Sequence, residues 1–590
     1  MTTPTGPQPT GSSPMKKYGP LIGIVVVILV IAGAVTLAGK KDTTESGANT
    51  TGTGTNGGSS SATTAGGANG APITYDQAKK DGKEGSTQWV DNCDPATGRI
   101  KVPSVFAPAC VPKYTGTNGG ATSPGVTADK ITIVLYTPPD NADILSRFTS
   151  QLDTKEDTKE TQAKYAEMFQ NTFQTYGRKV ELVQFDATGA PDDATSARAD
   201  AVNVVEKYKP FASLGGPVLT PAYAEELARQ KVLCMGCGVS LPDQFYQDKA
   251  PYIWGPLPTP EQFLVNIGDY ITNRMTGRNA SFAGDDDLKN QKRKFGVVHF
   301  EQDPPVFNAV SDQVAACGAA RGYKTEITET YTFDIGKMPD RATTIIAKMK
   351  AAGVTTIMFL GDPIMPIYLT QQATAQNYHP EWVVTGTVLT DTTVLGRMYD
   401  QSQWTHAFGV SNLAARTPRQ LGDAWRLHEW YYGTPPKAAN TSAIIYPPLQ
   451  QIFLGIHMAG PNLTPETFKQ GMFNYPASGG GATNPHVSYG DHGYFKLAEG
   501  NTCTSDKPRL DYLGVDDMTE IWWDVNAEGP DEQGKVAKGM WRYANNGKRY
   551  LPGEMPKTDV DAFKTENTVT MVEKQPAGDA PPDYPSPAKK

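Results

Sequence analysis

The side chains able to do chemistry are scattered along this chain in spacings that exclude the common catalytic constellations. Seven histidines stand at positions 299, 379, 406, 428, 457, 486 and 492, and none falls in an H-x-x-x-H or H-E-x-x-H pattern that would put two metal ligands on one helix face. Asp491 and His492 with His486 make the nearest approach to a metal cluster, and a polar surface loop accounts for them. Ser240 lies in GCGVSLP, which lacks the G-x-S-x-G elbow that exposes a nucleophile between strand and helix. Cys234 and Cys237 form a C-x-x-C, but it follows an apolar run instead of opening a helix, and no second C-x-x-C completes a zinc site. Structural thiols or bridges explain them better than redox chemistry. The Gly-rich stretch GTGTNGG lacks the lysine of a phosphate cradle, and Glu225–Glu226 reads as a solvated helix surface. No enzyme activity, metal or cofactor is predicted.

Two loops remain. Gly215–Thr220 (GGPVLT) joins a strand-like run to a helix, whose N-terminal N–H groups would offer a seat for a carboxylate or another acceptor. Gly236–Ser240 (GCGVS) ends the next strand beside it. The small residues allow close approach to backbone, and the Thr220 and Ser240 hydroxyls could add donors. Ordinary Gly-rich turns with a helix cap are the plainer reading of each loop.

Strands and helices must alternate to hold these loops, and the apolar pattern says that they do. Ile131–Tyr136 reads as a buried strand, followed by Tyr165, Phe169, Phe173 and Tyr176 at helical spacing and a left-handed stop at Gly177. Val180–Phe185, Phe211–Leu214 and Val232–Met235 continue the strands. Asp192/Asp193 cap one intervening helix, and Thr220 with Pro221 starts the next. After Trp254 the pattern begins again: strand Phe295–Phe300, helix Val306–Arg321, strand Lys324–Tyr331, a helix capped by Asp340, then strand Thr355–Leu360. Ala407–Ser411 reads as a crossing strand and Thr519–Trp523 as a late one. Two similar α/β lobes are implied.

The ends differ in kind from this middle. Leu21–Ala38 is an uncharged run of 18 residues, which would rise about 27 Å as a helix and so span a bilayer core. A retained single-pass anchor is the reading adopted, with a cleaved signal peptide as the competitor. The following Gly/Ser/Thr-rich segment has no apolar surface to bury and reads as a solvated tether. Cys93 and Cys110, close together in a Pro/Gly-rich stretch, are the expected disulfide, which suits an exported chain. The formal charge of −8 over 590 residues, with no basic face, argues against nucleic acid. The expected organisation is a cytoplasmic tail over residues 1–18, the anchor over 19–39, the tether over 40–72 and a Cys-containing extension over 73–124. Lobe one then begins over 125–255 and lobe two over 256–404, with returning segments of both over 405–557 and a disordered Pro-rich tail over 558–590.

Several segments together resemble the type I periplasmic-binding-protein family, specifically the branched-chain amino-acid and amide-binding substrate proteins of ABC importers. These are GVTADKITIVLY (Gly125–Tyr136), LGGPVLTPAYAEELARQKVLCMG (Leu214–Gly236), YPPLQQIFLGIHMAG (Tyr446–Gly460) and GDHGYFK (Gly490–Lys496). The resemblance runs from about Gly125 to Asp524 and implies two parallel-sheet, Rossmann-like lobes joined by a hinge of three crossovers, with a ligand held in the cleft. Carried onto this sequence, it places ligand contacts at Pro217, Leu219 and Thr220 in one loop and at Gly238 and Ser240 in the next. In lobe two the family's aromatic falls near Pro304 and its ammonium-binding acid near Met365, so Phe307 and Asp362 stand in with a shifted loop. A free α-amino acid is for that reason a poor fit. The implied role is a membrane-tethered, extracytoplasmic solute-binding protein serving an ABC permease or a sensor. A surface receptor for another protein, and less favoured an exported α/β hydrolase, are the alternatives.

Overall fold

The computed structural model describes residues 70–589, apart from 138–152, 191–192, 218–219, 239–240, 302–317, 319–321, 333, 335, 496–508 and 533. The expected anchor Leu21–Ala38 and the tether lie outside the described residues. Among the described residues no helix is long and apolar enough to cross a membrane.

The first lobe is built on a five-stranded sheet, all parallel. Its strands are β1 (Lys130–Thr137), β2 (Lys179–Asp186), β3 (Ala212–Leu214), β4 (Leu233–Met235) and β5 (Ile253–Trp254), in the order β2-β1-β3-β4-β5. β1, β3 and β4 carry near-continuous apolar runs because helices cover both faces of a parallel sheet, whereas the edge strand β2 mixes apolar with charged residues. The second lobe repeats that order with β6 (Phe295–Glu301), β7 (Thr325–Thr332), β8 (Thr356–Leu360), β9 (Glu381–Val384) and β10 (Ala407–Ser411), arranged β7-β6-β8-β9-β10 and again parallel. The strand read as crossing, Ala407–Ser411, is thus the fifth strand of this set.

Three antiparallel strands then extend the second sheet to eight: β11 (Met518–Pro530), β12 (Val536–Tyr543) and β13 (Arg549–Tyr550). The late strand expected over Thr519–Trp523 runs on to Pro530 because a bulge between Asp524 and Glu528 carries the pairing past Gly529 and Pro530. The helix expected to be capped by Asp340 instead starts at Met338, with Pro339 in its first turn, so Asp340 is its third residue.

Two hydrophobic cores follow the chain and show how it is threaded. Residues through Trp254 pack in the first core, Leu264 to Ala415 in the second, Ala424 to Leu513 in the first again, and Met518 to Val572 in the second. Up to Val572, the described residues therefore pass between lobes three times, at 255–263, 416–423 and 514–517. The first crossing ends on a capping box at the helix Pro260–Tyr270, where the Thr259 hydroxyl accepts from Gln262 N and Gln262 Oε1 accepts from Thr259 N. Gln262 Nε2 also donates to Asp511 Oδ1 at 3.1 Å, tying the first crossing to the segment that leads into the third.

Of the stretch 558–590, expected as a disordered tail, the described residues 558–589 are anchored to the folded part. Val560, Ala562 and Val572 lie in the second core, Asp579 is buried, and the Tyr584 hydroxyl donates to Asp94 Oδ2 at 2.7 Å. Prolines leave the unfolded chain little freedom to lose, so a few anchors without any regular spacing suffice to order the segment. Cys93 and Cys110 are joined, with Cα atoms 5.4 Å apart, and so are Cys234 and Cys237.

Candidate functional site

Where the crossings leave the sheets decides which edges face each other. The first departs after Trp254, the C-terminal end of β5, and the second after Ser411, the C-terminal end of β10. The third enters β11 at Met518, and Thr519 pairs with Ser411, so it arrives at that same edge of the second sheet. The C-terminal edges of both parallel sheets are therefore turned toward the hinge, and in open α/β sheets that is the edge where strand order reverses and ligands bind.

On the first lobe, β3 runs into Gly215, whose φ of +75° requires glycine, and then Gly216 and Pro217. A Cβ on Gly216 would stand 3.0 Å from Tyr223 Cδ1 and 3.2 Å from Cys237, so this loop is pressed against the one after β4. The Cys234–Cys237 bridge closes that second loop, and Gly238 follows, buried against Leu241. Thr220 is buried, and its hydroxyl accepts from Ala222 N at 3.3 Å at the start of the helix Ala222–Arg229. The helix cap itself falls on Pro221.

Behind these loops Tyr136, next to last in β1, donates to Asp200 Oδ2 at 3.1 Å, while its ring lies 4.8 Å from that of Tyr223. Burial, then the Asp200 charge, pushes the Tyr136 hydroxyl well above the ordinary phenol range. Tyr223 in turn shares a 2.9 Å hydrogen bond with Ser213. Gly216 is thus backed by a fixed polar and aromatic wall.

On the second lobe Asp362 follows β8 and is buried. Tyr331 donates to its Oδ2, and Oδ1 accepts from Ile364 N at 2.8 Å and Met365 N at 3.1 Å, at the start of the helix Met365–Ala375. Burial raises its pKa, and these donors offset part of that. Both oxygens are engaged in holding the loop. Leu219, Ser240 and Phe307 lie outside the described residues, so the structure brings together Pro217, Thr220 and Gly238 on one lobe and places Asp362 on the other.

Sequence reasoning missed Asp391. It sits beyond β9, receives the Ser411 hydroxyl on Oδ2, and has a buried Oδ1 without a hydrogen-bond partner among the described residues. Burial pushes its carboxyl up to about 7. The polar run TDTT (Thr390–Thr393) after an apolar strand was the available signal. Among the described residues no group of His, Cys, Asp and Glu could hold a metal ion.

The profile of the family described as "Periplasmic binding protein" matches residues 162–493, more than half of the chain. Solved structures similar to it include a solute-binding protein from R. palustris in complex with 4-hydroxybenzoate, at 14% identity and a TM-score of 0.45, with 73% of this chain and 98% of that one covered. A fatty acid ABC transporter substrate-binding protein from Thermomonospora curvata matches at 14% and 0.43, covering 72% and 94%. A branched-chain amino acid transporter substrate-binding protein from Streptococcus pneumoniae, in complex with isoleucine, matches at 11% and 0.43, covering 72% and 100%. Likenesses this remote speak to no individual residue. No curated protein matches the chain.

Proposed function

The chain belongs to the periplasmic binding proteins, which bind solutes and are not enzymes, and from that premise we propose that it captures a small molecule between its two lobes outside the cytoplasm. The observation that carries this reading is the convergence of both C-terminal sheet edges on a three-stranded hinge. In the proposed site the Pro217, Leu219 and Thr220 loop and the Gly238 and Ser240 loop offer backbone and hydroxyl groups to an acceptor on the solute, with Phe307 on the opposing wall. Asp362 is read as a positioning residue, since its carboxylate already caps its own helix. Moving that carboxylate onto a ligand ammonium would strip the helix of its cap, so a solute without a free α-amino group suits the site better.

Residues Leu21–Ala38 would hold the protein at the membrane, and the bridges Cys93–Cys110 and Cys234–Cys237 suit an oxidising compartment on its far side. Delivery to an ABC permease or to a sensor completes the reading. Thermal denaturation against a metabolite library tests it, because a ligand at 100 times its Kd adds about 2.7 kcal/mol to stability. A stabilising ligand whose effect is weakened by Thr220→Ala supports the reading, and silence across a broad library contradicts it.

A further inference from the structure

The C-terminal segment makes a fourth passage between the lobes, parallel to the second crossing. At its start it is built into the second lobe: Val569 and Tyr543 exchange backbone hydrogen bonds of 2.8 and 3.2 Å, Val572 N donates to Arg416 O at 2.7 Å, and the Val572 side chain is buried in that core. At its end it lands on the first lobe. The Tyr584 hydroxyl reaches Asp94 at 2.7 Å, Trp430 Nε1 donates to Tyr584 O at 3.0 Å, and the Ser586 hydroxyl donates to Trp430 O. Both Asp94 and Trp430 belong to elements packed on the first core.

Between these ends lies a pivot. Asp579 accepts from Thr483 N at 2.7 Å and its carbonyl accepts from Asn484 Nδ2 at 2.8 Å. The loop that carries them straddles the hinge: Ala482 gives its carbonyl to Ala415 N and packs on the second core, while Val487 packs on the first. Prolines at 576, 581, 582, 585 and 587 stiffen the span.

The two ends are not equally held. The second-lobe end buries apolar side chains and pairs backbone with backbone. The first-lobe end rests on three hydrogen bonds and on the short turn Pro587–Lys589 against the helix Asp423–Tyr432, over a cavity of about 180 Å3 lined by Arg99, Val102, Ala107, Pro582 and Tyr584 among others. A contact with empty space beneath it has fewer packing partners to lose on separation.

We propose that residues 573–589 are a latch across the hinge, fixed on the second lobe, pivoting at Asp579 and detachable from the first lobe at Tyr584, and that it limits how far the lobes separate. The latch rests on the two-lobe architecture and not on solute capture, so it is tested without any ligand. In the full chain, Tyr584→Ala with Ser586→Ala removes the two landing hydrogen bonds made by side chains of the segment, keeps the one from Trp430 to the Tyr584 carbonyl, and leaves the fixed end intact. Hydrogen exchange of amides 577–589 and small-angle scattering read the two consequences. The expected result is exchange about tenfold faster in that segment, together with a larger radius of gyration. Tyr584→Phe, which loses the hydroxyl and keeps the ring, is expected to shift both in the same direction by less, and it decides the matter should the double variant fail to fold. Exchange of 577–589 at unstructured-peptide rates in the unaltered chain, or an unchanged radius of gyration in every folded variant, overturns the latch.

Discussion

Asp391 titrates where few carboxylic acids do, because it is buried with one oxygen facing no donor among the described residues. Its pKa is raised from the ordinary 3.8 to about 7, so the unfolded chain ionises first and unfolding releases a proton between those values. The contribution of Asp391 to stability thus falls as pH rises from about 4 to about 7 and is constant above. Asp391→Asn keeps an acceptor for Ser411 and removes the titration. The variant is expected to match the natural chain near pH 4 and to exceed it at pH 8 by on the order of 3–4 kcal/mol, as read from urea unfolding at both pH values. The buried pair Arg293–Glu381 is a contrasting case. Its two hydrogen bonds are 2.7 and 2.9 Å, and Glu381 also accepts from Thr356 and Phe282 N. Glu381→Gln leaves the buried guanidinium with only the exposed Asp559 carboxylate, 3.8 Å away, as a counter-charge, and is expected to cost roughly 3 kcal/mol in the same measurement. At this scale the sequence betrayed little. Asp362 was visible as an acid after a strand, but its engagement by Tyr331 depends on a strand 31 residues away in the chain, and no local pattern records such a partner.

Among the elements, β10 has the least tolerance. Gly409 has a φ of +155°, and a Cβ there would stand 1.9 Å from Val384 O on the neighbouring strand. Gly409→Ala must push β9 and β10 apart. A loss of more than about 3 kcal/mol is expected, or failure to fold, seen by near-ultraviolet circular dichroism and urea unfolding. In the N-terminal extension, the Cys93–Cys110 bridge closes a loop with a sequence separation of 17. Replacing both by serine is expected to cost about 3 kcal/mol, measured as a lowered unfolding midpoint under non-reducing conditions. The parallel strands were legible because a strand buried on both faces writes an apolar run such as Ile131–Tyr136 into the sequence. The hairpin of β11 and β12 was not, because Gly529 and Pro530 are turn-formers, while pairing resumes at Glu528 after the bulge and includes both. The latch was hidden for a similar reason, since proline and small polar residues mark a flexible tail and an extended strap alike.

At the scale of the whole molecule, repetition of the strand pattern after Trp254 was enough to expect two lobes, and the observed strand orders agree in both. The number of passages between lobes had no local signature, because each is a short polar link whose meaning depends on which core the flanking apolar residues join. Those passages turn the two C-terminal edges toward one another, and the functional reading depends on that orientation. The most direct test is a crystal structure of the protein purified from its native host with whatever solute it retains. The account predicts density for a small molecule between the Pro217–Thr220 loop and the second lobe, touching Thr220 or Gly238. A solute bound elsewhere, such as in the cavity beside Arg99 and Tyr584, or two sheet edges with no crevice between them, would contradict it.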